Sequence, residues 1–552
     1  MTTHVDYYNR ETTAVQTFLD GLKNAAKTEG AVLDSAAAAD FVSNATHQHI
    51  GVEVPAKFQA VLDEAKDDQE RNILVKAILD CVSDYEAKNA VACPADLVQQ
   101  AFHSAYSTTQ KALDSVADNA HSDPRSLQPN RAVVSILATF AEAVPFAHYL
   151  PADIGSNEAK LAILSHQCGS DMGAYARNSI LDGISAGEPY LSAARVHTAA
   201  PSADGKVTGK ITKIQETRDT CKQDAGDLKL LRGRTLVYIN GLPVATETST
   251  AGSGASVIAG KANVDGKEYA IGGTINTDTG AFELTTSPAL PDTVPVTVEA
   301  FIDFERDADI TPEVISSVET FSLFAKPWRG FTRVSLDAST QMGNELNLDP
   351  LSESIVATQN QYAMERYYDV LAKGLRIAAL SKETFDFAVA RAHQDSARSE
   401  VWRDLSYPLG LLSQQMAETT MDHGITHLYV TKRVAAQLRQ LPSTYFQSSG
   451  IVERPGVFRV GRLFGQYEVY YTPKILSETE SSAQILCVGR ASNVGRNPIV
   501  MGDAVAPSVI PLAVGHDMRR GAAFYARNFT CVNPHAPSAR GFALIEVTNM
   551  NQ

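Results

Sequence analysis

The chain has 552 residues, of which 44% are hydrophobic, and a formal net charge of -15. That length suffices for two to four domains, and the apolar fraction is enough to bury a sizeable core. The acidic balance excludes a protein that coats nucleic acid, which needs a basic face against the phosphates, but it suits a wall that must not adhere to a polyanion beside it.

Six cysteines (Cys81, Cys93, Cys168, Cys221, Cys487 and Cys531) are scattered without a CxxC pair or a histidine at ligand spacing, so free buried thiols are expected. No apolar run approaches the roughly 20 residues of a membrane helix. The polar start Met1-Thr-Thr-His-Val-Asp lacks the pattern of a signal peptide, and a soluble, cytoplasmic chain is expected.

In chain order, residues 1–128 are polar and helical. Val15, Phe18, Leu19 and Leu22 form one amphipathic face, Phe58, Val61 and Leu62 a second, and Ile73, Leu74, Ala77, Ile78 and Cys81 a third. Through Arg125 there are 19 Asp or Glu against 10 Lys or Arg. Few aromatics and no strand pattern predict a helical N-terminal arm rather than a compact domain. Residues 122–130 form a Pro-rich polar linker, and a new core begins in 129–190 with the apolar run at 132–145.

The texture changes over 191–310, where short alternating runs are bounded by Gly, Ser and Thr. Asn276-Thr-Asp-Thr-Gly280 predicts a hairpin turn, and 235–240 and 296–304 read as further strands. Over 311–378 a strand at 311–324 precedes the longest helix. Asp349 is its expected N-cap, Pro350 its first residue, and it runs to about Ile377, which spans roughly 40 Å.

Within 379–515, Ser406-Tyr-Pro-Leu-Gly410 is expected to interrupt the chain before a helix through Leu411, Leu412, Met416 and Met421. Ile425, Leu428 and Val430 mark a buried strand, and Val434, Ala435, Leu438 and Leu441 a helix closed by Pro442. Phe458, Val460, Arg462 and Phe464 alternate with Val457, Arg459, Gly461 and Leu463. Gly465 then turns the chain into Tyr467-Glu-Val-Tyr-Tyr471, a hairpin. Residues 516–552 add final strands, among them 541–548.

This order, from Gly424 through the hairpin to Pro473 and on to the strands ending at Thr548, resembles the major capsid proteins of tailed bacteriophages. The C-terminal strands resemble in particular those of phages with contractile tails. The resemblance implies an α+β Hong Kong 97-type capsid fold. In its terms, 1–128 is a helical N-terminal arm and 129–190 the start of a peripheral domain. Residues 191–310 are an extended loop carrying an inserted β domain, and 311–378 return to the peripheral domain with a spine helix. Residues 379–515 are the axial domain, and 516–552 supply C-terminal peripheral strands.

The implied function is a structural shell protein, assembling into hexamers and pentamers around packaged double-stranded DNA. The implied partners are copies of itself, with scaffold, portal and decoration proteins besides. DNA would be enclosed without sequence-specific binding, and no membrane partner is implied. The implied location is the virion capsid, assembled in host cytoplasm. Family arms are in some members cut after Glu, for which Thr28-Glu29-Gly30 is a candidate. A tail sheath, a decoration protein and a nanocompartment shell are the alternatives, beside a hydrolase or carbohydrate-binding enzyme that uses the β insertion at 190–305.

No catalytic, cofactor-binding or metal-ligating residues are assigned. Gly461-Arg-Leu-Phe-Gly465 and Gly252-Ser-Gly254 lack the strand and helix of a phosphate loop. His423 and His427 are four apart, but Gly424 stands where a metalloprotease helix has Glu, and the pattern there is a strand. His47 and His49 are expected in solvent. Glu400, Trp402, Arg403 and Asp404 suggest a solvated helix start or an intersubunit contact. Some capsids of the resembled fold join subunits through a Lys–Asn isopeptide bond; Lys210, Lys213, Lys222, Lys229 and Lys326 lie near the extended loop, but nothing selects a Lys–Asn pair and no cross-link is expected. Arg433, Arg439, Arg459 and Arg462 form a basic cluster in an acidic chain. It is expected to be either a solvated face or a set of contacts to acids of adjacent subunits.

Overall fold

The computed structural model describes residues 4–26, 35–46, 51–109, 136–346 and 349–550, apart from 64, 66, 90, 137–138, 141–142, 154, 249–253, 393–397, 492 and 515. The expected linker at 122–130, the Glu29-Gly30 pair, His47 and His49 fall outside these residues. The chain divides into two units, residues 1–163 with 320–552, and residues 164–319.

The first unit opens with five helices: α1 (His4–Ala26), α2 (Ser35–Thr46), α3 (Ala56–Asp63), α4 (Asp68–Asn89) and α5 (Ala95–Thr109). Their apolar faces meet, with the rings of Phe58 and Phe102 stacked at 4.5 Å. Where a separate arm is expected, these helices instead share one buried cluster with β1 (Ala147–Tyr149) and with Val370, Tyr429 and Phe542 far along the chain. The reason is α5. Its Leu97, Val98 and Phe102 are buried in that cluster. Its Asp96 accepts the Tyr149 backbone N–H at 2.9 Å, and its Gln100 donates to Asp503 at 3.3 Å. Strand β2 (Glu158–Cys168) then carries the chain into the second unit.

The second unit is wider than the expected 191–310, because Cys168, Tyr175 and Tyr190 belong to its core. It contains β3 (Ala194–Ala199), β4 (Lys206–Lys210), the short pair β5 (Gln215–Thr217) and β6 (Thr220–Cys221), β7 (Leu236–Ile239), β8 (Leu242–Glu247), β9 (Ala255–Val264), β10 (Lys267–Asn276), β11 (Ala281–Ser287) and β12 (Val296–Phe301). Eight of these form an antiparallel sheet in the order β3-β12-β7-β8-β9-β10-β11-β4. Its end strands β3 and β4 approach each other, giving a nearly closed barrel. Gly209 makes the approach possible, since a side chain there would strike the rings of His197 and Phe282. The hairpin turn at Asn276 forms as expected: its side-chain oxygen accepts from Asp278 N–H at 2.9 Å and Thr279 N–H at 3.3 Å.

The chain returns by β13 (Val314–Phe324), which pairs with β2 in a two-stranded sheet, and continues into β14 (Lys326–Ser335). Then come α6 (Leu336–Leu346) and the 29-residue α7 (Pro350–Ala378), roughly 44 Å long at about 1.5 Å per residue. Asp349 caps α7 as expected, accepting from Leu351 N–H at 3.2 Å and the Ser352 hydroxyl at 2.8 Å. Gly374 lies where α7 meets the ring of Phe542, and any side chain there would displace that ring.

The remaining elements are β15 (Lys382–Asp386), α8 (Phe387–Ala392), α9 (Arg398–Arg403), α10 (Ser406–Thr420), β16 (Ile425–Val430), α11 (Lys432–Arg439), β17 (Phe446–Ser448), β18 (Phe458–Leu463), β19 (Tyr467–Tyr471), β20 (Ala483–Gly489), β21 (Ile499–Leu512), β22 (Arg519–Val532), α12 (Ala536–Ala539) and β23 (Phe542–Thr548). A seven-stranded sheet runs β15-β23-β20-β16-β19-β18-β17 and a four-stranded one β1-β21-β22-β14. The mixture of helix and sheet is the α+β class expected.

Five expectations are corrected here. Strand β21, placed with the axial residues 379–515, pairs instead with β22 and β14. Strand β23, placed among the peripheral strands, lies inside the seven-stranded sheet between β15 and β20. The burial of Phe542, Ala543, Leu544, Ile545 and Val547 explains this, because a strand apolar on both faces needs cover on both. Residues 406–410 do not interrupt the chain. They begin α10, with Pro408 in the first turn, where its missing N–H costs nothing. Trp402 is no solvated helix start: it is fully buried, and its indole donates to Gln437 at 3.1 Å. Finally, the simple alternation of β18 is broken by a bulge between Arg459 and Gly461. Phe458, Val460 and Leu463 therefore all enter the core.

Candidate functional site

The bulge decides the fate of the basic cluster. Arg459 and Arg462, on opposite faces of an unbulged strand, both reach Glu468 of β19, at 2.6 and 2.9 Å. Arg433 pairs with Glu478 at 3.6 Å, and Arg439 with Glu453. These four cations are thus partnered within their own chain, where the sequence leaves open a solvated face or contacts to acids of adjacent subunits.

His423 and His427 do not form a pair of ligands, because β16 starts between them and His427 turns into the core beside Phe146 and Tyr470. Burial, with the Arg490 charge, lowers the His427 pKa to about 3, so the ring is neutral. Among the described residues no group of three His, Cys, Asp or Glu side chains is placed to hold a metal. The six cysteines are free, and all but the half-buried Cys531 are buried. Lys210 pairs with Asp227 at 2.7 Å, and Lys229 donates to the Arg306 carbonyl at 3.0 Å.

A buried polar seam joins α5 and α7 to the four-stranded sheet. Arg366 on α7 meets Asp503 on β21 at 2.9 Å and donates to the Thr530 hydroxyl at 3.2 Å. Burial pushes the Asp503 carboxyl up, against the opposing pull of Arg366. Asp96 behaves oppositely. Burial raises it too, but the hydrogen bond with His148, the Arg490 charge and the Tyr149 N–H hold it below the usual carboxylate range. Arg366 and Gln100 hold Asp503, and His148, Arg490 and the Tyr149 N–H hold Asp96, so the seam fastens these elements together.

What the sequence does not reveal is which long strands stand at sheet edges. Several edges are short, β1 and β17 with 3 residues and β15 with 5, while β2, which shares its two-stranded sheet with β13, has 11. Strand β13, with 11 residues, and β14, with 10, each end a sheet, and neither has a further strand beside it among the described residues. Of β13 only Leu323 is buried, while Val314, Ile315, Val318 and Phe324 are exposed. On β14 the alternate residues Arg329, Phe331 and Arg333 are exposed, Phe331 to 71%. The opposite face of β14 packs toward α7, where Trp328 and Phe524 enclose Tyr362. Long strands with unpaired N–H and C=O groups can pair with another chain, and apolar side chains exposed beside such an edge mark a candidate interaction surface. The signal for this was the apolar content of 314–331. It reads equally as an interior strand until the pairing is known.

No family model matches the chain, and no curated protein matches it. Among solved structures it is similar to the icosahedrally averaged capsid of jumbo bacteriophage PhiKZ, at 11% identity and a TM-score of 0.34, over 74% of this chain and 92% of that one. It is similar to the capsid of the Myoviridae phage XM1 at 11% identity and a TM-score of 0.27, over 44% and 78% of the two chains. A third similarity is to the SrpI encapsulin complex of Synechococcus elongatus PCC 7942, at 12% identity and a TM-score of 0.27, over 44% and 80%. Phage capsids, the class the sequence resembles, are thus among the structures it is similar to.

Proposed function

We propose that this chain is a phage major capsid protein, a structural subunit that packs against copies of itself into hexamers and pentamers of an icosahedral shell around double-stranded DNA. The carrying observation is the pair of long open strands β13 and β14 with apolar side chains outside. A chain that leaves such edges uncovered is completed by other chains, and contacts between unlike surfaces that close on themselves generate rings. The capped 29-residue α7, braced against β14 and β22, supplies a stiff support behind one of the edges. The acidic balance of -15 suits a wall that encloses DNA without gripping it. Scaffold, portal and decoration proteins are further partners in this reading, and the particle forms in host cytoplasm.

Electron microscopy of the purified chain tests the proposal. Rings of five and six copies, or closed shells, are expected. Tubes would make it a tail component, and a protein that stays monomeric at high concentration would overturn it.

A further inference from the structure

We infer that the barrel of the second unit holds a monovalent cation at one end of its interior, bound by the side chains of Glu247, Ser256 and Thr277. The site lies within the barrel and is independent of how copies of the chain assemble.

Register places these residues together. Strands β7, β8, β9 and β10 are successive neighbours in the sheet, and Val237, Ala245, Ile258 and Ile275 point from them into the core. Side chains two residues apart along a strand share a face. Two residues further along each strand, toward the same end of the barrel, stand Thr235, Glu247, Ser256 and Thr277. A layer of apolar side chains is thus capped by a layer of polar ones, and none of the four is more than 8% exposed.

This layer carries a charge without a counter-charge. Burial raises the Glu247 pKa, but the Gly233 N–H, the nearby Ser256 hydroxyl and the N–H and hydroxyl of Thr235 outweigh it. They hold the carboxyl below its usual range, so it is ionised at neutral pH. Glu247 Oε2 accepts from the Thr235 N–H at 3.3 Å and from its hydroxyl at 3.0 Å. Glu247 Oε1, Ser256 Oγ and Thr277 Oγ1 are buried, and none has a partner within hydrogen-bond geometry. Glu247 forms no ion pair among the described residues. Arg232 and Arg306 turn to Asp278, Arg232 at 3.8 Å, and Arg234 is exposed.

Buried charges are paired with an opposite charge or bind a metal ion. Oxygens with lone pairs to give, one of them a carboxylate's, suit a hard cation, which takes oxygen ligands. One carboxylate balances one positive charge, whereas a divalent ion would leave a net charge inside an apolar barrel. A water molecule would meet the oxygens but brings no charge. Sodium and potassium share the required chemistry. Bound there, the ion joins the ends of β8, β9 and β10, so the stability of the barrel follows the concentration of that cation.

Melting of the full chain in sodium, potassium and choline chloride at equal ionic strength tests this, since choline is too large for a buried site. The barrel's transition should rise by about 3 °C or more in sodium or potassium over choline, and the salt that raises it names the ion. Glu247→Gln keeps the size and the acceptor for Thr235 and removes the charge, so its transition should be the same in all three salts. Should that variant fail to fold, Ser256→Ala with Thr277→Val should weaken the shift instead. Equal melting of the wild type in all three salts overturns the site and leaves water as its occupant. A shift that survives unchanged in either variant places the ion elsewhere and also overturns it. Stabilisation by millimolar calcium chloride, with none by the alkali salts, does the same.

Discussion

The barrel of the second unit and the strands β13 and β14 that follow it use similar residues and dispose of them in opposite ways. In β9, β10 and β11 exposed and buried positions alternate, and Ile258, Ile271, Ile275, Phe282 and Leu284 all turn inward. The barrel also brings its end strands β3 and β4 together, so its apolar side chains and most of its backbone groups are satisfied within itself. In β13 and β14 the comparable Val314, Ile315, Val318, Phe324 and Phe331 remain outside. One region completes its burial on folding, and the other defers it to association. The difference lies in the neighbours each strand acquires and not in its composition.

The largest expected effect probes the closed region. Phe282 is buried beside His197, with ring centroids 6.0 Å apart. Phe282→Ala should cost the barrel about 3–5 kcal/mol, the usual range for emptying a buried aromatic site. Urea unfolding of the full chain, read on the barrel's transition, should show it, and a change under about 1 kcal/mol would mean that the barrel interior is not the tightly filled core described above.

Acid sharpens the contrast next, because histidines are buried in the closed parts whereas residues 313–335 contain none. His103 is held to about 3 by burial and by the Lys57 charge, against the pull of the Asp503 and Ala152 carbonyls and of Asp153. His427 is likewise held to about 3. Both folded values lie below the unfolded one of about 6.5, so the unfolded chain binds more protons in between. The stabilisation is therefore complete above about pH 6.5 and is lost as pH falls toward 3, by roughly 2 kcal/mol per histidine at about pH 5. Unfolding free energies at pH 7 and pH 5 should differ accordingly, and His103→Gln with His427→Gln should flatten the slope. An unchanged slope in that double variant would place the acid sensitivity elsewhere.

How much of this was legible follows the same division. Local signals were read correctly. The Asp349-Pro350 start of α7, the Asn276 turn, and the hairpin at Phe464 and Gly465, both in left-handed backbone, are written in adjacent residues. What depended on distant pairing was not. The bulge that swings Arg459 and Arg462 onto Glu468, the exchange of β21 and β23 between sheets, and the docking of α5 on β1 and β21 need partners hundreds of residues away or a change of register. The charged neighbours of Trp402 mask its burial, and an apolar run such as 314–331 does not say which side of it is covered. The assignment of no catalytic or metal residues rested on missing patterns, and the seam of Arg366, Asp503, Gln100 and Asp96 lay beyond such patterns altogether.

Two smaller effects complete the series. Asp349→Ala removes the side chain that caps α7 and pairs with Arg520, and should cost about 1 kcal/mol, as N-caps usually do. Its melting temperature tests that, and no shift would mean water replaces the cap.

The smallest expected change in stability belongs to Phe331→Ala, which is why it is the most telling. Phe282 and Phe331 are the same residue on comparable antiparallel strands, one 3% exposed and the other 71%. With little area to lose, the isolated Phe331→Ala chain should unfold within about 0.5 kcal/mol of the wild type, as surface substitutions do. If β14 is an edge awaiting another chain, the same variant should assemble poorly, since an aromatic at the centre of an interface carries a large share of its binding energy. Melting and light scattering on one preparation separate the two. A destabilised monomer would mean that Phe331 is already covered within its own chain. A stable monomer that assembles as well as the wild type would mean that the burial deferred at β14 is never collected there.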